Sequence, residues 1–191
     1  MTTQIKPAIV MLLLFTALTG IAYPLAVTLV AQTVFPNQAN GSLLGNTEQP
    51  LGSELIGQAF SSPEYFWGRP SATSPAAYNG GASSGSNQGP INPALIDAVQ
   101  ARVKALRDAD PSHLEAVPVD LVTASASGLD PHISSAAAAY QISRVAKARQ
   151  MSPDNVRELV ERYTQARQWG VLGEPRVNVL KLNLALDEQL K

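Results

Sequence analysis

The residues best suited to catalysis stand close together between Ser125 and His132. A serine nucleophile, Ser125 or Ser127, with Asp130 and His132 behind it would supply the residue types of a hydrolase triad. A nucleophile elbow needs Gly-x-Ser-x-Gly on a strand-to-helix turn, and the leading glycine is missing here. We therefore predict that these side chains form a turn and a helix cap, and that the chain has no catalytic residues of its own.

Two further segments have compositions found in ligand sites. Residues 80–89 are rich in glycine and serine but contain no Gly-Lys-Ser/Thr, so they do not match a phosphate-binding P-loop. Arg144, Lys147 and Arg149 give one predicted helix a positive patch. Such a patch is more often a solvated helix face than a ligand site, and the sequence favours the solvated face.

Composition narrows the function classes. The chain has no cysteine, two histidines and a net charge of −1. These counts exclude thiolate metal sites, disulfides and cysteine nucleophiles, and they predict neither a metal site nor a nucleic-acid surface. The Asp-Lys-Thr-Gly-Thr phosphorylation motif of P-type pumps is also absent, which excludes the phosphorylated subunit of such a pump.

The N-terminus is set apart by its apolar composition. No charge lies between Lys6 and Glu48, and residues 8–31 are almost wholly apolar, which exceeds the roughly 20 residues needed to cross a bilayer. We predict a transmembrane helix over residues 8–34, interrupted at Pro24. A cleaved signal peptide is the alternative; the run is too long for it and no clean cleavage site follows.

The charges around this span predict its orientation. Lys6 precedes it, so the positive-inside rule places residues 1–7 in the cytoplasm and residues 35–191 in a soluble domain outside. Gly20, close to Thr16 and Thr19, would permit another helix to approach closely. The alternative is a lone helix in lipid.

Helices dominate the remainder. Asn92 and Pro93 predict a helix start, and Pro111 ends that helix. Further helices are predicted from Ser134 or Ser135 to about Arg149 and from Ser152 onward, and a short strand over residues 117–122. The tail from residue 177 fits a strand or a helix, and we favour the helix. The fold class is thus a single N-terminal transmembrane helix followed by a mixed α/β, helix-rich extracytoplasmic domain.

Aromatic residues are concentrated before the first of these helices. Tyr65, Phe66, Trp67 and Arg69 are types enriched at interface hot spots, and Phe35 directly follows the span. We predict a partner interface that uses these residues together with three positions in the span, namely Gly20, Tyr23 and Pro24. The same aromatic residues would also serve as the core of a small domain, and that alternative remains open.

Matching pieces along nearly the whole chain carry a family resemblance. They include Tyr-Phe-Trp-Gly-Arg-Pro-Ser-Ala at residues 65–72 and Val-Pro-Val-Asp-Leu-Val-Thr-Ala-Ser-Ala-Ser-Gly-Leu-Asp at residues 117–130. The others are residues 23–24, 35–43, 52–53, 55–58, 78–79, 83–87, 141–142, 144–149, 177–180 and 182–187. Together they resemble the C subunit of the Kdp-type potassium-transporting ATPase; one departure is Ser84, where the family more often has glycine.

The resemblance implies a place in a high-affinity potassium uptake complex of the bacterial inner membrane, with the soluble domain in the periplasm. The expected partners are a channel-like potassium-binding subunit, a P-type ATPase subunit and a small single-helix subunit, besides the lipid bilayer. The C subunit is needed for assembly and activity, and a catalytic-chaperone role has been proposed, in which it raises the ATP affinity of the pump subunit. That proposal points to Ser125, Ser127, Gly128 and Gln141 as nucleotide contacts, with ATP as the ligand and no cofactor held by the chain alone.

The predicted topology conflicts with shared nucleotide binding, because a domain outside the membrane cannot reach cytosolic ATP. Two functions therefore remain: a non-catalytic accessory and assembly subunit, or a nucleotide-binding regulatory subunit of the same pump. We favour the first.

Overall fold

The computed structural model describes residues 2–46 and 49–189, and the chain divides into two compact units, Met1–Ser53 and Glu54–Lys191. The first unit contains one long helical span, Ile5–Val34, with a mean hydropathy of 2.1. None of its most apolar window is buried by the rest of the chain. The predicted N-terminal apolar helix, long enough to cross a bilayer, is confirmed, and it begins at Ile5 rather than at residue 8.

Pro24 shapes the middle of this span. Helix α1, Ile5–Ala17, and helix α2, Tyr23–Val34, are joined by a π-helical turn, Leu18–Ala22, in which the Tyr23 N–H donates to the Leu18 carbonyl. Proline has no N–H to donate and its ring crowds the preceding turn, so the helix widens there by one residue. The interruption predicted at Pro24 therefore takes the form of a π turn.

A short hairpin completes the first unit. After the single-turn helix α3, Pro36–Ala39, strands β1, Leu43–Asn46, and β2, Gln49–Ser53, pair antiparallel. The Ser53 hydroxyl donates to the Gly41 carbonyl at 2.7 Å and ties the hairpin to the turn before it.

The second unit is a helical domain around a small antiparallel sheet of order β3–β5–β4. Its elements are α4, Pro93–Ala109; β3, His132–Ser134; α5, Ser135–Arg149; α6, Pro153–Arg162; β4, Thr164–Gln165; β5, Arg176–Asn178; and α7, Val179–Glu188. The core centres on α5, where Ala137 and Val145 are fully buried, and takes Val156 from α6 and Leu182 and Leu186 from α7.

The predicted helix starts are confirmed, and each has a side-chain cap. The Asn92, Ser134 and Ser152 side chains accept from the N–H groups of Ala94, Ala137 and Asn155. These caps satisfy N–H groups that a helix leaves without partners in its first turn. The ambiguous tail resolves into the three-residue strand β5 and then helix α7, which confirms the helix favoured at the end.

The strand predicted over residues 117–122 is wrong. Val119–Leu121 forms a 3-10 turn, in which the Leu121 N–H donates to the Pro118 carbonyl. The Asp120 carboxylate accepts hydrogen bonds from both the N–H and the hydroxyl of Ser134, and so fixes the turn against the start of α5. Alternating apolar residues indicated a strand, whereas a distant polar contact determines the structure.

The described stretch from residue 54 to residue 92 contains no helix or strand, yet it is held in place by contacts from distant parts of the chain. The Gly57 N–H donates to the Leu129 carbonyl at 2.9 Å, and the Ser84 N–H to the Ser127 carbonyl at 3.0 Å. The glycine- and serine-rich segment is therefore packed against the loop that contains the candidate serines.

Candidate functional site

The most extensive polar network of the second unit surrounds the aromatic segment, defined here as residues 63–69. Phe66 is fully buried in the core. Its N–H donates to Asn183 Oδ1 at 2.9 Å, and Asn183 Nδ2 donates back to its carbonyl at 3.0 Å. Trp67 has the same pair of bonds with Gln141, at 2.8 and 3.1 Å. Two buried amides, one from α7 and one from α5, thus bind consecutive peptide groups as a neighbouring β-strand would.

Two arginines from α5 complete the network. The Arg144 guanidinium donates to the carbonyls of Pro63 and Tyr65 at 2.6 and 3.1 Å and to Gln141 Oε1 at 2.6 Å. It also lies 4.3 Å from the centre of the Trp67 ring, within range of a cation–π contact. Burial lowers the pKa of Arg144 to about 10, against a raising influence of nearby Asp110, so the group remains charged at neutral pH.

Arg149, five residues farther along α5, also bonds to the backbone of the aromatic segment. Its Nε donates to the Glu64 carbonyl at 2.6 Å, and its Nη2 lies 2.7 Å from Asp187 Oδ1. The Tyr65 hydroxyl donates to the other oxygen of Asp187 at 3.1 Å. Burial and the adjacent carboxylate of Asp187 raise the pKa of Tyr65, so its hydroxyl remains a donor.

The predicted solvated face of α5 is therefore wrong for Arg144 and Arg149, which are 5% and 8% exposed, and holds for Lys147 alone. The physical reason is the aromatic segment. An irregular stretch of backbone leaves carbonyl groups that no sheet or helix satisfies, and the buried guanidinium groups supply their donors.

The candidate serines form a turn, as predicted. Ser125 Oγ accepts from the Gly128 N–H at 2.9 Å, and Ser127 Oγ accepts from the Leu129 N–H at 3.1 Å. Within residues 2–46 and 49–189, neither hydroxyl has a hydrogen bond to His132, so no triad geometry is present. Gly128 is left-handed, with φ +68, and a Cβ there would lie 2.6 Å from the Ser84 carbonyl oxygen.

Asp130 joins this loop to the aromatic segment. Its carboxylate lies 3.2 Å from Arg69 Nη1 and accepts the His132 N–H at 3.0 Å. Burial acts to raise the pKa of Asp130, but the bonds from His132 and Arg69 outweigh it and leave the pKa below its usual value. The group is an anchor for two chain segments and remains ionised at neutral pH.

The four predicted nucleotide contacts belong to two separate hydrogen-bond networks. Ser125, Ser127 and Gly128 bond within their own loop or to the irregular stretch of residues 54–92. From that stretch, Ser71 Oγ donates to the Gly128 carbonyl at 2.7 Å. Gln141 is 1% exposed and makes all its bonds inside the domain, to Trp67, Ala137 and Arg144. Nucleotide binding through these residues stays a prediction.

A shallow groove of about 410 Å³ lies beside the aromatic segment. Its walls are mainly apolar and include Phe60, Trp67, Pro70, Tyr78 and the stem of Arg102. In the part of the chain that the structure describes, no three acidic or histidine side chains come close enough to hold a metal ion.

The predicted partner residues fall into two groups. Gly20, Tyr23, Pro24 and Phe35 lie in the first unit and are exposed, and a Cβ on Gly20 would meet nothing within 4 Å. In the second unit Tyr65, Trp67 and Arg69 are partly exposed, and their interface role stays a prediction. The side chain of Phe66 belongs to the core, so it is not available to a partner, and the core interpretation of this residue is the correct one.

Sequence reasoning missed Asn183, Asp187 and the inward direction of the two arginines. One signal was available: Asn183 stands among Leu180, Leu182 and Leu186 on the apolar side of the last helix. A polar residue in such a position is buried and needs a hydrogen-bond partner. Its partner, the Phe66 backbone, lies 117 residues away in the sequence and could not be inferred from spacing.

Comparison with known proteins identifies the family. A family model described as "KdpC: K+-transporting ATPase, c chain" matches residues 5–188. A potassium-transporting ATPase KdpC subunit from Methylococcus capsulatus is 65% identical over 187 residues, 98% of each chain. Proteins of the same name from Dechloromonas aromatica and Herpetosiphon aurantiacus are 59% identical over 191 residues, the full length of both chains, and 61% identical over 188 residues, 98% and 97% of the two chains.

The resemblance inferred from the motifs is thereby confirmed along nearly the whole length of the chain. The long apolar helix agrees with the membrane association that a subunit of such a pump implies. This chain belongs to the KdpC family, the c chain of the K+-transporting ATPase.

Proposed function

We propose that this chain is the non-catalytic accessory subunit of the ATP-driven potassium uptake complex, and that it supports assembly of the complex. The observation that carries the proposal is the network around the aromatic segment. The buried side chains of Gln141, Arg144, Arg149 and Asn183 all bond to the domain's own backbone. Among the nitrogen atoms of these four side chains, one, Nη1 of Arg149, is buried without a partner in the part of the chain that the structure describes.

Gln141 is central to the choice between the two functions. Its Nε2 already donates to Trp67 and Ala137 carbonyls, and its Oε1 accepts from the Trp67 N–H and from Arg144. An amide offers two donor hydrogens and one acceptor oxygen, so no capacity remains for a nucleotide base. To contact ATP, this side chain would have to break its bonds to Trp67, which would leave the Trp67 N–H and carbonyl without these partners.

Our proposal places the second unit outside the cytoplasm, with the N-terminus inside. The support is Lys6, which precedes an uncharged span, while the other charges follow it. A reporter that is active only outside the cytoplasm should work when fused to the C-terminus. Activity of a cytoplasmic reporter at that position would reverse the orientation and favour the nucleotide-binding alternative.

We propose that the first unit contacts the potassium-binding, ATP-hydrolysing and small single-helix subunits. Its apolar side chains are exposed in the part of the chain that the structure describes, and so are available to these partners. The aromatic segment of the predicted interface does not belong to this unit. The unit boundary falls after Ser53, and the aromatic segment shares a core with helices α5 and α7.

A matched pair of variants tests the accessory role. Gln141→Ala and Asn183→Ala each remove one buried amide that binds the aromatic segment, and only Gln141 is a candidate nucleotide contact. If both amides are structural, both variants should lower the yield of assembled complex, while the complexes that do assemble keep the same ATP concentration for half-maximal activity.

A rise in that ATP concentration for Gln141→Ala, but not for Asn183→Ala, would overturn the accessory proposal in favour of the nucleotide-binding one. Both variants lose a pair of bonds to the backbone of the aromatic segment, so a defect that comes from losing such a pair cannot produce this difference.

A further inference from the structure

The hairpin between β4 and β5 ends in an apolar tip, defined here as residues 168–173. Trp169 is 89% exposed, Val171 72% and Leu172 49%. Gln168 and Leu172 close the tip through an antiparallel bridge beyond the paired strands. Isolated exposed apolar residues are common on protein surfaces, but three within one six-residue tip form a patch.

Trp169 adopts a backbone conformation that tryptophan rarely takes. Its φ is +51, and that of Gly170 is +79, so both central residues of the turn are left-handed. Glycine suits this conformation, whereas a bulky side chain there costs roughly 1–2 kcal/mol. The turn itself gains nothing from tryptophan at this position. A strained residue whose ring is held out into solvent indicates that the ring binds something.

Several backbone N–H and carbonyl groups of the tip are already hydrogen-bonded, which suits apolar surroundings. The N–H groups of Gln168 and Leu172 donate to each other's carbonyls at 2.9 Å, and the Val171 N–H donates to the Gln168 carbonyl at 3.2 Å. No charged residue lies between Arg167 and Glu174, and these two pair across the base of the tip at 2.6 Å. Backbone groups that are already bonded lose little when water is removed from around them.

These properties fit a bilayer surface better than a protein pocket. Tryptophan is enriched at the membrane–water interface because its ring is apolar and its N–H remains in contact with headgroups. A tryptophan offers at most about 250 Å², so Trp169 by itself falls well short of the roughly 800 Å² per partner that a stable protein interface buries. A weak bilayer contact suffices for a chain already anchored in the membrane, because the anchor keeps the local lipid concentration high.

We propose that this tip, with Trp169 foremost, inserts into the headgroup region of the bilayer that holds the N-terminal helix. The inference rests on the membrane anchoring in the proposed function, and it does not depend on which side of the membrane the second unit occupies. The anchored chain would then touch the bilayer at two points, the span and the hairpin tip.

Tryptophan fluorescence of the full chain in lipid nanodiscs tests the proposal. The chain has two tryptophans, Trp67 and Trp169, so subtracting the spectrum of Trp169→Phe leaves the emission of Trp169. We expect this emission to be blue-shifted and to be quenched by lipids brominated close to the headgroup, with weaker quenching when bromine lies near the end of the acyl chain.

Leu114 provides the matched control. It is 90% exposed and lies at the opposite end of α6 from the hairpin, since its neighbours His113 and Glu115 line a cavity with Pro153 at the start of that helix. A tryptophan introduced by Leu114→Trp in the Trp169→Phe background should emit as in water. It should be quenched by aqueous acrylamide and not by brominated lipid.

Acrylamide quenching of Trp169 equal to that of the control would overturn the proposal. So would a blue-shifted Trp169 that brominated lipid leaves unquenched, because a protein surface would then cover the ring. The measurement needs only the anchored chain. A failed topology reporter or a change in ATP dependence would therefore overturn the proposed function and leave this result unaffected.

Discussion

The two units of the chain distribute their side chains in opposite ways. In the first unit no apolar residue of the Ile5–Val34 span is buried, and the sequence of this unit has two charged residues, Lys6 and Glu48. In the second unit the apolar residues form a core, and the arginines Arg144 and Arg149 are turned inward. The first unit therefore leaves its apolar side chains uncovered by the described part of the chain, whereas the second unit buries its own.

The largest effect expected from breaking this contrast is that of Arg144→Ala. The change leaves the Pro63 and Tyr65 carbonyls and one lone pair of Gln141 without a donor in a buried site. Each buried acceptor that is left without a donor costs about 1–3 kcal/mol, so the loss of three such bonds should exceed the cost of the other substitutions. Denaturant unfolding of the full chain in detergent, followed by near-ultraviolet circular dichroism, would measure the loss.

Lys147→Ala is the control for this prediction. Lys147 lies on the same helix and is exposed, so its removal should leave the unfolding midpoint unchanged. Equal midpoints for the two variants would show that the inward arginine contributes no more than a surface charge.

A smaller loss is expected from Gly128→Ala. The residue has φ +68, and an added Cβ would lie 2.6 Å from the Ser84 carbonyl oxygen and 2.7 Å from Thr73 Cγ2. Backbone strain together with this clash should cost about 1–3 kcal/mol of the free energy of unfolding. Gly89→Ala, where a Cβ meets nothing within 4 Å, should leave stability nearly unchanged. If the two variants unfold alike, the loop has room that the structure does not show.

Acid should destabilise the second unit more than the first. The pKa of Asp130 lies below its usual 3.8 because the bonds from His132 and Arg69 outweigh the effect of burial. A lowered carboxyl pKa contributes stability at pH values above 3.8, and this contribution is lost as the pH falls through the lowered pKa. The near-ultraviolet circular dichroism signal should therefore decline in acid, because both tryptophans and four of the five tyrosines lie in the second unit.

Asp130→Asn cannot titrate, so its stability should depend less steeply on pH over the same range. The helical signal of the span should persist, because the first unit has a single acidic residue, Glu48. An equally steep acid transition in Asp130→Asn would assign the acid sensitivity to other carboxylates, of which Asp110 is the first candidate, since bonds from Ser143 and Ser112 outweigh burial and lower its pKa.

Gly20→Leu should have the smallest effect on the chain itself. A Cβ on Gly20 meets nothing within 4 Å, so the secondary structure should be unchanged. If the Gly20 face packs against a partner helix, the added bulk should reduce co-purification of the other pump subunits. Ala22→Leu adds bulk on nearly the opposite side of the helix and should be tolerated. Equal retention of partners by both variants would contradict a contact at Gly20.

Prediction from sequence succeeded where the determinants are local. Caps such as Asn92, Ser134 and Ser152 act within three residues, and the apolar span is defined by composition alone. Prediction failed where a distant group decides. Residues 117–122 alternate like a strand, but the hydrogen bonds of Asp120 hold them in a turn. The helical pattern places Arg144 and Arg149 on a solvated face, but their bonds to the aromatic segment direct them inward.

The candidate site shows the same limit. The serine turn could be predicted because its hydrogen bonds close within three residues, between Ser125 and Gly128. The role of Gln141 could not, because its partner Trp67 lies 74 residues earlier and belongs to a stretch without regular structure. The family resemblance supplied a function for the whole chain but no account of what that amide touches.

The reciprocal bonds between Asn183 and Phe66 have a consequence for biosynthesis. The two residues are 117 positions apart, and Asn183 lies in the last helix of the chain. During synthesis the aromatic segment emerges first, and its backbone lacks the amide partner until Asn183, 117 positions later, has been made. Closure of the domain is then a late, long-range step, of the kind that folds slowly and exposes apolar surface in the meantime. A nascent chain that stops before α7 would lack the partner of Phe66 and would present an open core to proteases.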